Sequence, residues 1–270
     1  MDKEKYIISK FDNKFIGDDA AYIGNYVYSK DIFLENTHFK KSWLTPYEVG
    51  KKAMLVNISD TIVMNAVPKY ALIGLLVPKK MSLDEIKSLK KGIDEVSKKY
   101  NLEIIGGDTV GSQLLGVSVT IIGYTKKPIF RNLMKKGELL AFTGNLGGSL
   151  KGLKTLQNGG KLGKSSRFKN VVLREKFFYK TAKFINSAMD ISDGLASDLP
   201  KFVRNKNIKF TKKLSKSQLT SGEEYEILFS FDKKHRTRVI NEAKKARINL
   251  TIFGEIIDGK YNKQARSWHF

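Results

Sequence analysis

Cysteine is absent from the 270 residues. Disulfides, thiolate metal sites and cysteine nucleophiles are thereby excluded. No apolar run reaches the roughly 18 residues that a membrane-spanning helix needs. The first residues, MDKEKYIISKFDNK, lack the apolar stretch of a signal peptide. A cytoplasmic protein with no membrane partner is expected. Acid is scarce beside base: 27 Asp plus Glu against 49 Lys plus Arg leave a formal charge of +22. A field of that sign attracts polyanions, whether nucleic acid, a nucleotide or a phosphorylated metabolite. Yet the basic runs at 151–183 and 201–216 do not interleave aromatics as a single-strand stacking surface does. Zinc-finger and RNP-like sequences are missing, and so is a GxxxxGK[ST] loop. Nucleic acid is therefore not the expected partner, and a solvated lysine-rich surface accounts for the basic runs.

What is present suffices for two domains. A chain of this length that is 41% hydrophobic can bury a sizeable interior. Thr45-Pro46-Tyr47-Glu48 and Ser82-Leu83-Asp84-Glu85 are capping boxes, each opening a helix. Leu83, Ile86, Leu89, Ile93, Val96 and Tyr100 keep helical spacing in the second. Residues 70–77 and 102–105 read as buried strands, the first stopped by Pro78, and Val117 to Tyr124 as a further strand. Residues 128–136 read as a linker, which divides the chain into 1–133 and 134–270. The second part opens with the strand Leu139 to Thr143 and a glycine-rich turn, 144–149, into a helix. That turn is either a plain tight connection or a phosphate-binding loop.

Four acidic segments carry the chemical interest: Gly17-Asp18-Asp19, Asn57-Ile58-Ser59-Asp60, Gly106-Gly107-Asp108-Thr109 and Asp190-Ile191-Ser192-Asp193-Gly194. Asp18 and Asp19 repel each other, so a cation or backbone donors should relieve them; an Asx turn is the simpler alternative. Asp60 is four residues from both Val56 and Met64, hence on an apolar helix face. An unpaired carboxylate is costly there, and a metal is favoured over a salt-bridge partner. The glycines before Asp108 place it at a strand end on a tight turn. Ser192 or Asp193 can cap a helix carrying Leu195, Leu199 and Phe202. Ser221-Gly222-Glu223-Glu224-Tyr225-Glu226 reads as a turn with solvated acids.

In order along the chain, GDDAA at 17–21, SKD at 29–31, THF at 37–39, KAMLVNISDTIVMNAVP at 52–68, IIGGDT at 104–109, TGNLGGS at 143–149, MDISDGLASDL at 189–199 and SGEEYE at 221–226 resemble the thiamine-monophosphate kinase family. That family belongs to a superfamily that includes aminoimidazole ribonucleotide synthetase. The resemblance implies a two-domain α/β protein whose N-terminal domain, 1–133, pairs in a homodimer and completes a β-barrel across the interface. It implies ATP as co-substrate, several Mg²⁺ ions, and direct phosphoryl transfer to thiamine phosphate without a covalent enzyme intermediate. By the same resemblance Asp19, Ser29, Asp31, Asp60, Asp108, Asp190 and Asp193 bind magnesium. Asp108, Arg131 and Ser192 contact ATP; His38, Glu223 and Trp268 contact thiamine phosphate. No residue is implied as a covalent or acid–base catalyst. The chain departs from the family pattern at Lys30, where a small hydroxyl residue is usual.

Overall fold

A computed structural model describes residues 3–11 and 13–262. A short helix, α1 (Lys3–Ile8), precedes the two sheets. The capping boxes form as their spacing predicts. Thr45 and Ser82 accept from the backbone of Glu48 and Glu85, and both glutamates return the bond. They open α2 (Pro46–Val63) and α3 (Leu83–Tyr100).

The first sheet holds β1 (Ala21–Ile23), β2 (Tyr26–Leu34), β3 (Val67–Pro78), β4 (Glu103–Ser112) and β5 (Gly116–Tyr124). Its order is β1-β2-β5-β3-β4. Neighbours are antiparallel except β3 and β4, which run parallel because α3 carries the chain back between them. The second sheet holds β6 (Leu139–Thr143), β7 (Ile185–Asp190), β8 (Lys206–Phe210), β9 (Ile227–Phe231) and β10 (Leu250–Asp258), antiparallel throughout in the order β7-β9-β6-β10-β8. With it go α4 (Gly148–Gln157), α5 (Glu175–Thr181), α6 (Leu195–Val203), α7 (Lys216–Thr220) and α8 (Arg236–Lys245). Among the described residues both sheets are open and neither closes into a barrel.

The helix α2 is buried on nearly every side because it serves both sheets. It packs on β2, β5 and α3, and also meets β7 and α5. Glycines bring α2 and α3 together: a Cβ on Gly92 would lie 2.1 Å from the Tyr47 carbonyl oxygen, and one on Gly50 would lie 2.3 Å from that of Leu89. One apolar core therefore runs from Phe33 and Val119 through Ala53 and Ile58 to Phe177 and Phe229.

Three local expectations are corrected. The chain does not turn at Gly106-Gly107; β4 continues through Asp108 to Ser112. The glycines serve close approach instead, since a Cβ on Gly107 would sit 1.8 Å from the Ile73 carbonyl oxygen of β3. Neither β3 nor β4 is a buried strand. β3 alternates, and β4 is an exposed edge with Ile104, Ile105 and Val110 open to solvent. The helix after Asp193 has no side-chain N-cap. Asp198, in its first turn, reaches back so that Oδ2 accepts from the Asp193 backbone (3.2 Å).

Candidate active site

Asp19 lies just before β1, Asp60 on α2 and Asp190 at the end of β7. Three distant segments thus bring carboxylate oxygens within 4.8 Å of one another. Both expected forms of relief operate at the adjacent acids. Asp18 accepts the Arg131 backbone N–H on both oxygens (3.1 Å each) and the Asp19 N–H on Oδ1 (3.1 Å). Asp19 Oδ1 pairs with the Arg131 guanidinium. Asp19 Oδ2 and Asp190 Oδ2 are buried and find no hydrogen-bond partner among the described residues.

Such a cluster resists ionisation. Asp60 is held well above the usual carboxylate range, first by burial and then by the charges of Asp31, Asp190 and Asp19. Asp190 is raised likewise, by burial and then by Asp19. Burial pushes Asp31 up to about 6, against the pull of Lys30, with Asp19 adding to the rise. Asp18 stands at about 6 through burial and Asp19, despite its bonds to Arg131. Hard oxygen donors, negative charge in excess of its partners and two unsatisfied buried oxygens make a donor set that fits Mg²⁺.

Beside the cluster, Asp190 leads within two residues to a cavity of about 320 Å³. His38, Ser192, Asp193 and Glu223 line it, with Trp43, Phe39 and Phe168 as aromatic walls. The Leu34 N–H donates to His38 Nδ1 (3.0 Å), which puts the ring proton of a neutral imidazole on Nε2. Asp193 pairs with Lys201. Asp198 is also close to Lys201 (3.6 Å) and is pushed up to about 7, chiefly by burial.

Not every candidate joins these groups. The Ser29 hydroxyl donates to Asn57 Oδ1 (2.5 Å) and contacts Thr61 (3.1 Å), so it secures β2 to α2. Asp108 is exposed in β4, where its Oδ1 accepts from the next backbone N–H, that of Thr109 (2.8 Å). Trp268 lies outside the described residues.

The 221–226 turn overturns the reading of solvated acids. Glu224 and Glu226 are buried. Glu224 Oε1 accepts from the backbone N–H of Gly147 (2.8 Å) and Ser149 (2.9 Å) at the start of α4. A carboxylate from within the chain thus fills the helix N-terminus where a phosphate would bind, and the glycine-rich turn is a structural connection. Glu226 accepts from Arg167, Arg174 and Thr143. Part of the 151–183 basic run is therefore paired rather than solvated. Lys52, buried on α2, reaches this turn as well and pairs with Glu223 (2.7 Å). Its burial is signalled in the sequence: it stands three residues from Val49 and four from Val56, on the same apolar face that made Asp60 conspicuous.

Residues 17–125 match the family description "AIR synthase related protein, N-terminal domain". The thiamine-monophosphate kinase of Buchnera aphidicola subsp. Schizaphis graminum is 33% identical over 90% of this chain and 84% of its own length. That of Pyrococcus horikoshii is 27% identical over 95% and 87%. Among solved structures, AaThiL complexed with AMPPCP and TMP superposes with a TM-score of 0.86 at 26% identity, covering 99% of this chain and 96% of that one.

Proposed function

Because the chain belongs to the thiamine-monophosphate kinase family, we propose that it transfers the γ-phosphoryl group of ATP to thiamine phosphate, giving thiamine diphosphate and ADP. The observation that carries this reading is the carboxylate cluster of Asp19, Asp60 and Asp190 set beside the cavity of His38, Ser192 and Glu223. A phosphate oxygen of thiamine phosphate attacks the γ-phosphorus, and the bond to the β–γ bridging oxygen breaks. Such a transfer rests on positioning and on charge.

Asp19, Asp60 and Asp190, with Asp31 beside them, would hold Mg²⁺. When bound, the metal neutralises the two phosphate groups and aligns the attack. Arg131 is placed by Asp18 and Asp19 at the same cluster, where its guanidinium suits a phosphate of ATP. Ser192 stands between the cluster and the cavity and would contact ATP as well. Asp193 would add a further metal contact and Ser29 a backbone one. Glu223 offers a carboxylate to the cationic thiamine, His38 an Nε2–H donor, and Trp268 an aromatic face.

Asp108 stands apart from the cluster within one chain, on the strand that a second copy would cover. Its contact with ATP and metal is proposed together with a homodimer built on the exposed β3–β4 face, whose two open sheets would complete a barrel. The two-domain division at 133/134 and a cytoplasmic location belong to the same reading. Among the described residues no helix is long and apolar enough to cross a membrane.

The test is an assay with ATP, Mg²⁺ and thiamine phosphate, following thiamine diphosphate by chromatography. Metal-dependent product is expected. Tight Mg-ATP binding without product would mean a different acceptor.

A further inference from the structure

Lys52 is wholly buried, with its side chain 0% exposed. A buried ammonium is costly unless paired, and an apolar side chain of similar length would pack at least as well there. Its ammonium lies over two rings, 5.6 Å from the Phe33 centroid and 4.4 Å from that of Phe168. Packing alone therefore gives no reason for a charge at this position.

Its partners supply one. Lys52 belongs to α2, yet Nζ donates to the Phe168 carbonyl oxygen (2.8 Å) and to Glu223 Oε2 (2.7 Å), both from the second half of the chain. Phe168 and Glu223 are walls of the cavity beside the acidic cluster. Glu223 also needs holding. Its backbone is left-handed (φ +53°), a conformation most side chains avoid, and its N–H donates to the Ser192 carbonyl oxygen (2.6 Å). Phe168 in turn meets Trp43 edge-on at 6.0 Å. One ammonium thus fixes the acidic and the aromatic sides of the cavity at once.

We propose that Lys52 is a positioning residue for the acceptor: it anchors the Glu223 carboxylate and the Phe168 wall so that the cavity is preorganised for a cationic heterocycle. This rests on the assignment of the cavity to thiamine phosphate. Preorganisation lowers the cost of ordering a flexible glutamate when the ligand binds. It acts on acceptor binding and leaves the nucleotide side alone. Lys52 also neutralises only one charge, so the pair as a whole does not repel a cation.

The experiment compares wild type, Lys52→Met, Glu223→Gln and the double variant, measuring KM for thiamine phosphate and for ATP, kcat and Tm. Lys52→Met is expected to raise KM for thiamine phosphate about tenfold, the size of one charge-assisted hydrogen bond. KM for ATP should stay within about twofold, since uniform loss would point to general disruption. The double variant should be worse than Glu223→Gln by less than Lys52→Met is worse than wild type, because Lys52 acts partly through that carboxylate and otherwise through the Phe168 carbonyl. It leaves no orphan charge, so it also serves if Lys52→Met alone does not fold. An unchanged KM for thiamine phosphate, an equal rise in both KM values, or a double variant whose KM for thiamine phosphate rises by the full product of the two single effects overturns the proposal. Wild-type protein that makes no thiamine diphosphate overturns the functional reading itself, a result distinct from all of these.

Discussion

At Asp60 and Asp190 the fold gathers carboxyl groups whose negative charge its own partners would not balance. Each carboxyl is raised by burial and by neighbouring acids. Removing one charge therefore has opposite effects on stability and on activity. Asp60→Asn should raise the Tm of the metal-free protein, read by calorimetry in chelator. It should also lower Mg-dependent turnover by at least about 100-fold, since the charge neutralisation given by a metal is worth several kcal/mol. Glu226 is the converse case, a carboxylate satisfied by two arginines and Thr143. Glu226→Gln leaves both guanidinium groups without their counter-charge and should cost about 3 kcal/mol in urea denaturation, the usual toll of breaking a buried pair. Asp60 and Glu226 are both acids in a basic chain, and their surroundings separate a carboxyl crowded by other acids from one held by arginines.

Among the elements, β4 depends on a backbone approach that only glycine permits. Gly107→Ala would drive a Cβ into the Ile73 carbonyl group. A loss of about 3 kcal/mol is expected, in the range of mutants that strain a special backbone position. Hydrogen exchange should rise first in β4, with β2 and β5 protected, because β4 is an edge held by β3 alone. The 221–226 turn joins elements in the same way: Glu223 binds α2 through Lys52, Glu224 binds the start of α4, and Glu226 binds Arg167 and Arg174. Its three glutamates are spaced for three different neighbours, and no local pattern announces that.

The whole molecule should lose stability as pH rises when no metal is present. A carboxyl raised in the fold keeps a proton that the unfolded chain has already released, so its contribution is complete below the unfolded value and is lost through the folded one. For Asp18 and Asp31 that window runs from 3.8 to about 6, and for Asp198 to about 7. Thermal melts in chelator should show Tm falling between pH 3.8 and about 7, and Mg²⁺ should flatten the fall; a Tm that rises over this range would count against the buried cluster. Assembly is tested at the same scale. The exposed Ile104, Ile105 and Val110 should be covered in a dimer, so Ile105→Lys should shift light-scattering mass toward one chain.

The sequence by itself determined the starts of α2 and α3, the strand at 139–143 and the order of the acidic motifs, because capping, apolar spacing and short motifs are local. It also marked Asp60 as out of place on an apolar face. Only the tertiary structure decided which acids meet. Asp19, Asp60 and Asp190 converge, while Asp108, equally prominent in sequence, sits on an exposed edge. Convergence follows from α2 lying between two sheets and from strand register, which are set by contacts across the whole chain. Lys52 makes the same point, since its two partners lie 116 and 171 residues away. A buried charge can be suspected from its place on a helix, but its role depends on what long-range packing sets against it.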